Sequence, residues 1–443
     1  MSHARRQVGL AAVVVVVLAA GAAAVAAPGA WTWTWTWTGT TGATTAPEGS
    51  SLSGPAAGTG AGAAPVAAGL DATNETPTRL GLGPGELTSE TARPTTRLGT
   101  AVAVGDDELR VRFGRYRVRE LLDSATTDAE RRAAVRQILE ETRLAVDRLR
   151  DREVAAVRAY RDGATDRAGL FRRLAAVHLA AAEHRRTLSE LQRRADGSLT
   201  FELETEIGTL DRRLSMFRSP VRERIADGAV GDTGGEVGVS TTEEGLALET
   251  VVDGAYVREV IRFDRYRGGD GESLDTTREV VDRLGVLYPY AFTASQRHSI
   301  SLVERRLFVA EFPHPQGRVR VYLNRDTGEI YREVQRLELD QVHTRSAVDR
   351  TVESLRVTVD RVDGRDPTRV RVRDNLTDNP VEATVSVGDR TVGTTTEGDL
   401  WLVVGTAPVE MTVDTGDRTV NVTVGDTGTE TQAQANGRVD AGD

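Results

Sequence analysis

The pattern of apolar and polar positions divides the chain into segments with different periodicities. Residues 8–27 form an uninterrupted apolar run that directly follows Arg5 and Arg6. A helix of that length rises about 30 Å, which matches the hydrocarbon thickness of a bilayer. We therefore predict a membrane-targeting segment that places the rest of the chain on the extracytoplasmic side.

Two fates of this apolar run are compatible with the sequence. The Ala-Val-Ala stretch at residues 24–26 fits the exit of a cleaved signal peptide. Tryptophans alternate with threonines over residues 31–37, and tryptophan is enriched where a spanning helix meets lipid headgroups. The protein is expected to be either membrane-anchored through residues 8–27 or secreted. Arg5 and Arg6 also permit a twin-arginine export signal.

The next segment, residues 28–100, is rich in Gly, Ala, Thr, Ser and Pro and has few apolar positions. Such a composition buries too little apolar surface to offset the conformational entropy of the chain. We predict a disordered stalk over residues 28–100. The polar residues 426–443 are predicted to form a tail.

Helical periodicity dominates residues 101–228. A strand-like stretch, Glu108–Val118, comes first, and Thr127 with Glu130 then forms the signature of a capping box. Two long helices joined by a few residues run antiparallel, so this region is predicted to be a helical hairpin or coiled-coil domain. The predicted helices begin at Thr127, Thr165, Phe201 and Pro220 and the first three end near Asp162, Gly197 and Phe217.

Strand periodicity begins after Gly231. Asp253-Gly254 is a strong hairpin signal, and one helix, Leu274–Leu287, is stopped by Pro289. Antiparallel strands covered by one helix make a small α+β domain, which we place at residues 229–342. The predicted strands are residues 237–242, 246–252, 256–263, 299–312 with a break near Arg305, 318–323 and 329–337.

Short β-branched runs alternate with turn signals from Leu355 to Val424. This spacing predicts an Ig-like β-sandwich of roughly seven strands within residues 343–425. The predicted fold class is therefore multidomain. Its parts are an N-terminal signal or anchor helix at residues 1–27, a disordered stalk, an α-helical hairpin or bundle, a small α+β domain and a C-terminal β-sandwich.

The amino-acid composition indicates the source of the protein and excludes one class of partner. All 56 basic residues are arginine, 66 residues are acidic, and the formal net charge is −10. An acidic, lysine-free and cysteine-free chain indicates an extremely halophilic archaeon, with a GC-rich bacterium as the alternative. The arginines are interleaved with acids and form no basic stripe, so nucleic-acid binding is not expected. Without cysteine, each domain must be stabilised by its own core.

No motif predicts a catalytic, cofactor or metal site. The sequence has no G-x-S-x-G, H-E-x-x-H or Walker motif, and its six histidines are scattered. Two loops of the 229–342 domain are predicted to project from a rigid sheet and to bind a partner. These loops contain Pro313, His314 and Pro315, with His314 as a solvated turn residue, and Asp326, Thr327 and Gly328. N-glycosylation sequons occur at Asn74, Asn375 and Asn421.

Three resemblances accompany these predictions. The stretch RVRVYLNRDTGEIYREV, residues 318–334, resembles the closing hairpin of PepSY-like domains, which implies a module that binds or inhibits peptidases. The stretch PVEATVSVGDRTVGTTTEGDLWLVV, residues 380–404, resembles a carboxypeptidase-regulatory-like or Ig-like module. Residues 100–340, with RSPVRERI, YVREVIRFDRY and HPQGRVRVYLNRDTGEIYREVQ, resemble a family of uncharacterised exported proteins of halophilic archaea.

Two functions follow as expectations. The first is a non-enzymatic protein of the cell surface that binds an unknown surface or exported partner or has a structural role. The second is a regulator or inhibitor of an exported peptidase, acting through the PepSY-like module.

Overall fold

The computed structural model describes residues 70–71, 77–94, 114–195, 197–230, 235–266, 273–295, 298–405 and 408–425. The predictions for the apolar run at 8–27, for the tryptophan repeat, for Asn74 and for the tail lie outside these residues. Among the described residues, no helix combines the length and apolarity that crossing a membrane requires.

The helical region is confirmed and consists of five helices within its described residues. The capping box at Thr127 is present. The Thr127 side chain accepts a hydrogen bond from the backbone N–H of Glu130, and the Glu130 side chain accepts one from the backbone N–H of Thr127. Helices α2 and α3 are joined by residues 162–166 and pack antiparallel. The helices are α1 (residues 114–124), α2 (Asp128–Arg161), α3 (Arg167–Arg194), α4 (Phe201–Ser215) and α5 (Pro220–Val230).

The capping box provides a measurable contribution to the stability of α2. We expect Thr127→Ala to lower the free energy of unfolding by about 1 kcal/mol, because the first turn loses a side-chain acceptor. Thr200 occupies the same position before α4 but makes no side-chain cap hydrogen bond. Thr200→Ala should therefore cost less than about 0.5 kcal/mol. Urea denaturation at molar KCl compares the two variants, and equal losses would contradict the assigned cap.

The predicted strand at Glu108–Val118 is wrong for the residues that the structure describes. Residues 114–118 lie in α1, where Val118 and Leu122 are buried one turn apart against the helical core. Alternation of arginine with apolar residues over 110–113 imitates strand periodicity, but the four-residue spacing of the two buried positions is that of a helix face.

The stalk prediction is wrong for residues 77–94. Strand β1 (Leu70–Asp71) pairs with β2 (Arg79–Leu80), and β3 (Thr88–Ala92) pairs with a strand of the central sheet. Leu80 is completely buried. The average composition of residues 28–100 conceals this piece, because an edge strand needs few apolar residues when a preformed sheet supplies the hydrogen-bonding partner.

The central domain is one antiparallel sheet of eight strands, in the order β3-β4-β5-β6-β10-β9-β8-β7. Helices α2, α3 and α5 cover one face through a shared apolar core. Helices α6 (Thr277–Leu287) and α7 (Pro289–Ala294) cover the other face, so Pro289 both stops one helix and opens the next. The remaining strands are β4 (Val237–Thr241), β5 (Gly245–Val252), β6 (Ala255–Arg262), β7 (Ser299–Glu304), β8 (Leu307–His314), β9 (Gly317–Asn324) and β10 (Ile330–Glu338).

The C-terminal part contains two four-stranded antiparallel sheets around one valine-rich core. The described residues of this domain form eight strands instead of roughly seven, because β11 has a mostly exposed pattern that carries no apolar alternation. One sheet contains β11 (Arg345–Val352), β12 (Leu355–Val362), β13 (Arg365–Asp374) and β16 (Asp399–Leu402). The other contains β14 (Thr384–Val387), β15 (Arg390–Thr394), β17 (Val409–Asp414) and β18 (Thr419–Val424).

Candidate functional site

The first predicted binding loop is the turn between β8 and β9. Pro313 and Pro315 are exposed as expected, but His314 is only 8% exposed, so its prediction as a solvated turn residue is wrong. The alternation of the strand continues through this position and turns the imidazole onto the edge of the Tyr290 ring, 5.8 Å between centroids. Burial lowers the pKa of His314 to about 4.

The second predicted loop is the turn between β9 and β10. Asp326 is exposed and pairs with Arg306 at 3.2 Å, whereas Thr327 and Gly328 are buried. Asn324 holds the turn, since its side-chain oxygen accepts from the Asp326 N–H at 2.9 Å. The two loops lie at opposite ends of β9, whose eight residues span about 26 Å. The structure therefore does not bring the two predicted loops together.

Two of the three sequons lie at exposed positions of the C-terminal domain. Asn375 follows β13, and its backbone N–H donates to the Ser354 carbonyl at 2.6 Å. Asn421 lies on β18, where its side-chain oxygen accepts from the Thr412 hydroxyl at 3.0 Å. Both side chains are exposed, which glycosylation requires.

A cavity of about 310 Å³ lies in the helical region, between α1, α2 and α3. We call it the arginine groove. Its polar lining comprises Arg117, Glu141, Arg148, Arg152 and His184, together with two threonines. Apolar side chains line the rest, namely Val118, Ile138, Ala145, Leu149 and Ala180.

The charges of the arginine groove are not balanced. Arg117 pairs with Glu141 at 2.8 Å, which neutralises one end. Arg148 and Arg152 are exposed and lie one turn apart on α2, and neither forms an ion pair or hydrogen bond within the described part of the chain. His184 faces them; burial, followed by the positive charge of Arg148, lowers its pKa to about 4. The imidazole is therefore neutral at physiological pH, and the groove carries excess positive charge.

A group of buried charges lies between the helical region and the sheet. We call Glu153 on α2, Arg222 on α5, Glu259 on β6 and Arg332 on β10 the ion quartet. All four side chains are at most 1% exposed. Their two positive and two negative charges cancel, as buried charges require.

Direct contacts connect the members of the ion quartet. Nε of Arg222 donates to both carboxylate oxygens of Glu259 at 3.0 Å, and its Nη2 donates to Glu153. Arg332 donates to the other oxygen of Glu153 at 2.6 Å and to the Met216 carbonyl. Burial alone raises the pKa of Glu259, but the guanidiniums of Arg222 and Arg332 outweigh it, so the pKa lies below its ordinary value.

A second buried network lies on the opposite face of the sheet. The Glu333 carboxylate accepts from the Leu80 N–H at 3.0 Å and from the Tyr288 hydroxyl at 2.5 Å, and Arg258 approaches it at 3.5 Å. Burial raises the pKa of Glu333 despite these partners. This network attaches Leu80 to the sheet and to Tyr288, which lies between α6 and α7.

The same N-terminal residues attach the sheet to the C-terminal domain. Arg79 donates to the Asp366 carbonyl at 2.7 Å, and the Asp366 carboxylate accepts from the backbone N–H groups of Val404 and Gly405. Burial raises the pKa of Asp366 to about 6. Arg390 on β15 donates to the Thr91 carbonyl on β3 at 2.8 Å. Polar contacts through residues 77–94 thus connect the sheet to the C-terminal domain.

Sequence reasoning missed both the groove and the ion quartet. Glu153 does leave a signal, because it occupies the apolar stripe of α2 three and four residues away from Leu149, Ala156 and Val157. A second signal is the presence of charged residues among the apolar residues of β6, a strand whose positions are all buried in the structure. Neither signal reveals which partners meet, since the four residues come from elements up to 179 positions apart.

Three sequence families match this chain. Residues 237–343 match a family described as "Family of unknown function (DUF7094)", and residues 346–422 match the archaeal fibronectin-III type-like domain, which implies an archaeal source. The comparisons with curated proteins and with solved structures gave no match. Residues 1–234 match the family described as "Domain of unknown function (DUF7096)". Because this match covers more than half of the 443 residues, the chain belongs to that family.

Proposed function

We propose that the protein is an exported, non-enzymatic binding or structural protein at the surface of a halophilic archaeon. The apolar run at residues 8–27 supports export, and it leaves both membrane anchoring and secretion open. The acidic, lysine-free composition supports a halophilic source. The archaeal fibronectin-III type-like match supports a role in recognition or assembly, although fold alone does not determine function.

The observation that carries this proposal is that ion pairs and charged hydrogen bonds connect the domains. The ion quartet joins the helical region to the sheet, and Arg79, Asp366 and Arg390 join the sheet to the C-terminal domain. These groups hold surfaces in fixed positions relative to one another. Such stiffness suits a protein that presents loops to a partner, because less entropy is lost when a rigid surface binds.

The absence of cysteine allows a direct test in cells. Single substitutions Pro315→Cys and Asp326→Cys, in the full chain, place one thiol on each predicted loop. Phe201→Cys is the matched control, since Phe201 is 83% exposed on the helical region. We expect a membrane-impermeant maleimide to label all three variants on intact cells. A photocrosslinking maleimide should join one discrete partner from a loop position and none from residue 201.

Three outcomes would overturn the proposal. Labelling only after lysis would exclude a surface location. Equal crosslinking from all three positions would mean that the loops have no special role. Hydrolysis of peptides or glycans by the purified full chain, lost on replacing His298, His314 or His343, would establish an enzyme.

The regulator of an exported peptidase is the second proposal. It is supported by the β9–β10 hairpin, whose Asp326-Thr327-Gly328 turn carries the PepSY-like resemblance and is held rigidly by Asn324. The same crosslinking experiment separates the two proposals. A peptidase captured at residue 326, and inhibited by the purified full chain, favours the regulator, whereas a partner without peptidase activity favours the surface protein.

A further inference from the structure

The arginine groove has the dimensions and lining of a ligand site. Its volume of about 310 Å³ lies at the lower end of small-molecule pockets. Its floor is apolar and comes from three helices, with Leu149 only 3% exposed. A ligand with an apolar body would therefore exclude water from this floor, which contributes favourable free energy even in concentrated salt.

The charged end of the groove determines which sign of charge a ligand must carry. Arg148 and Arg152 both line the cavity, and the neighbouring His184 is neutral. Among the described residues that line the cavity, Glu141 is the only acidic one, and it pairs with Arg117. At molar salt the Debye length is about 3 Å, which removes long-range attraction. Only direct hydrogen bonds from a guanidinium to a carboxylate or sulfate are then effective, and the planar geometry of arginine suits both groups.

The opposite end of the groove sets the orientation of the ligand. Glu141 lies there, paired with Arg117, and its carboxylate disfavours a second anion. The hydroxyls of Thr142 and Thr187 donate to carbonyls of their own helices at 2.8 and 3.0 Å, so they offer only lone pairs to a ligand. The acidic group of a ligand is thus directed towards Arg148 and Arg152.

We propose that the arginine groove binds a small organic anion, with a carboxylate or sulfate on Arg148 and Arg152 and an apolar body on the floor between α1, α2 and α3. This site is separate from the loops invoked for partner binding, so it stands or falls independently of the proposed function. The ligand chemistry is that of a small aromatic or aliphatic acid, in keeping with a volume at the lower end of small-molecule pockets.

The test uses the full chain in detergent at molar KCl and ligand-observed fluorine NMR. The probes are para-fluorobenzoate, its sulfate counterpart para-fluorophenyl sulfate, and the neutral para-fluorobenzamide. We expect saturable binding of at least one anion, about tenfold tighter than binding of the amide. The benzoate and the sulfate arms show which acidic group is preferred.

Matched variants locate the site. Arg148→Gln combined with Arg152→Gln should weaken anion binding by about tenfold or more, because both charged donors are lost. Arg132→Gln combined with Arg136→Gln makes the same charge change, at the same spacing on α2 but outside the groove, and should change the affinity by less than about twofold. Arg148→Lys keeps the charge but removes the planar fork, so it should give an intermediate affinity.

The results that would overturn the proposal are equally definite. The proposal is wrong if neither anion binds saturably or if the anions and the amide bind with equal affinity. It is also wrong if the two double variants weaken anion binding equally. Arg136, Arg148 and Arg152 are exposed and Arg132 is half-buried, so the fold is expected to survive in both double variants. Unchanged circular dichroism verifies this. If the groove variant does not fold, Arg148→Lys alone decides, and an unchanged anion affinity in that variant refutes the assigned contact.

Discussion

Replacing Arg332 by methionine is expected to lower the free energy of unfolding by about 3–5 kcal/mol. The substitution leaves Glu153 and Glu259 with one guanidinium between them, in a region where the arginine and both carboxylates are at most 1% exposed. It also removes the donor of the Met216 carbonyl. An uncompensated buried carboxylate must then become protonated or force the helical region away from the sheet. Chemical denaturation of the full chain at molar KCl measures the loss.

A matched control lies on the same strand. Arg336 on β10 pairs with Glu338 at 2.9 Å, but the two side chains are 30% and 41% exposed. Arg336→Met should therefore cost less than about 1 kcal/mol. Similar losses for the two variants would contradict a special role for the ion quartet. Replacing all four members by apolar residues of similar volume should be less harmful than Arg332→Met alone, because no charge is then left unpaired.

Gly317→Ala is expected to lower the free energy of unfolding by about 3 kcal/mol. Gly317 opens β9 with a φ of +146°, a conformation that L-residues rarely adopt. A Cβ atom built there would lie 2.0 Å from the Arg336 carbonyl oxygen, which belongs to the neighbouring strand. Either β10 or the Pro313–Gly317 turn must shift. Hydrogen exchange should therefore show faster opening of amides in β9 and β10.

Gly416 provides the control for the backbone contribution. Its φ is +88°, and a Cβ atom there would meet nothing within 4 Å. Gly416→Ala should therefore lower the free energy of unfolding only by the cost of the left-handed backbone conformation, about 1–2 kcal/mol. An equal loss for both variants would mean that the close approach to Arg336 is relieved without strain.

The regular elements could be predicted because their signals are local. Thr127 and Glu130 place the start of α2, and Asp253-Gly254 places the turn between β5 and β6. Pro289 marks the helix boundary before α7. In each case the physical cause, a cap, a positive φ or a missing N–H, involves residues that are neighbours in the chain.

The failures concern features that depend on distant residues. Strand β3 is stabilised by pairing with β4, which its own composition does not reveal. His314 is buried because Tyr290, from α7, covers it. The groove is formed by three helices, and the ion quartet by residues from four elements. Local periodicity therefore predicts the individual helices and strands, but not which of their side chains meet. From the sequence alone, Glu153 can be recognised only as a charged residue within an apolar stripe.

The position of β3 also has a consequence for the order of folding. Thr88 pairs with Thr241, roughly 150 residues later in the chain, and closing a loop of that length carries a large entropic cost unless the intervening chain is already compact. The helices between them depend on local contacts and can form first. During synthesis, β3 must therefore stay without its partner strand until β4 has appeared. The edge strand is expected to join last, and slow protection of its amides in pulse-labelling hydrogen exchange would record that final step.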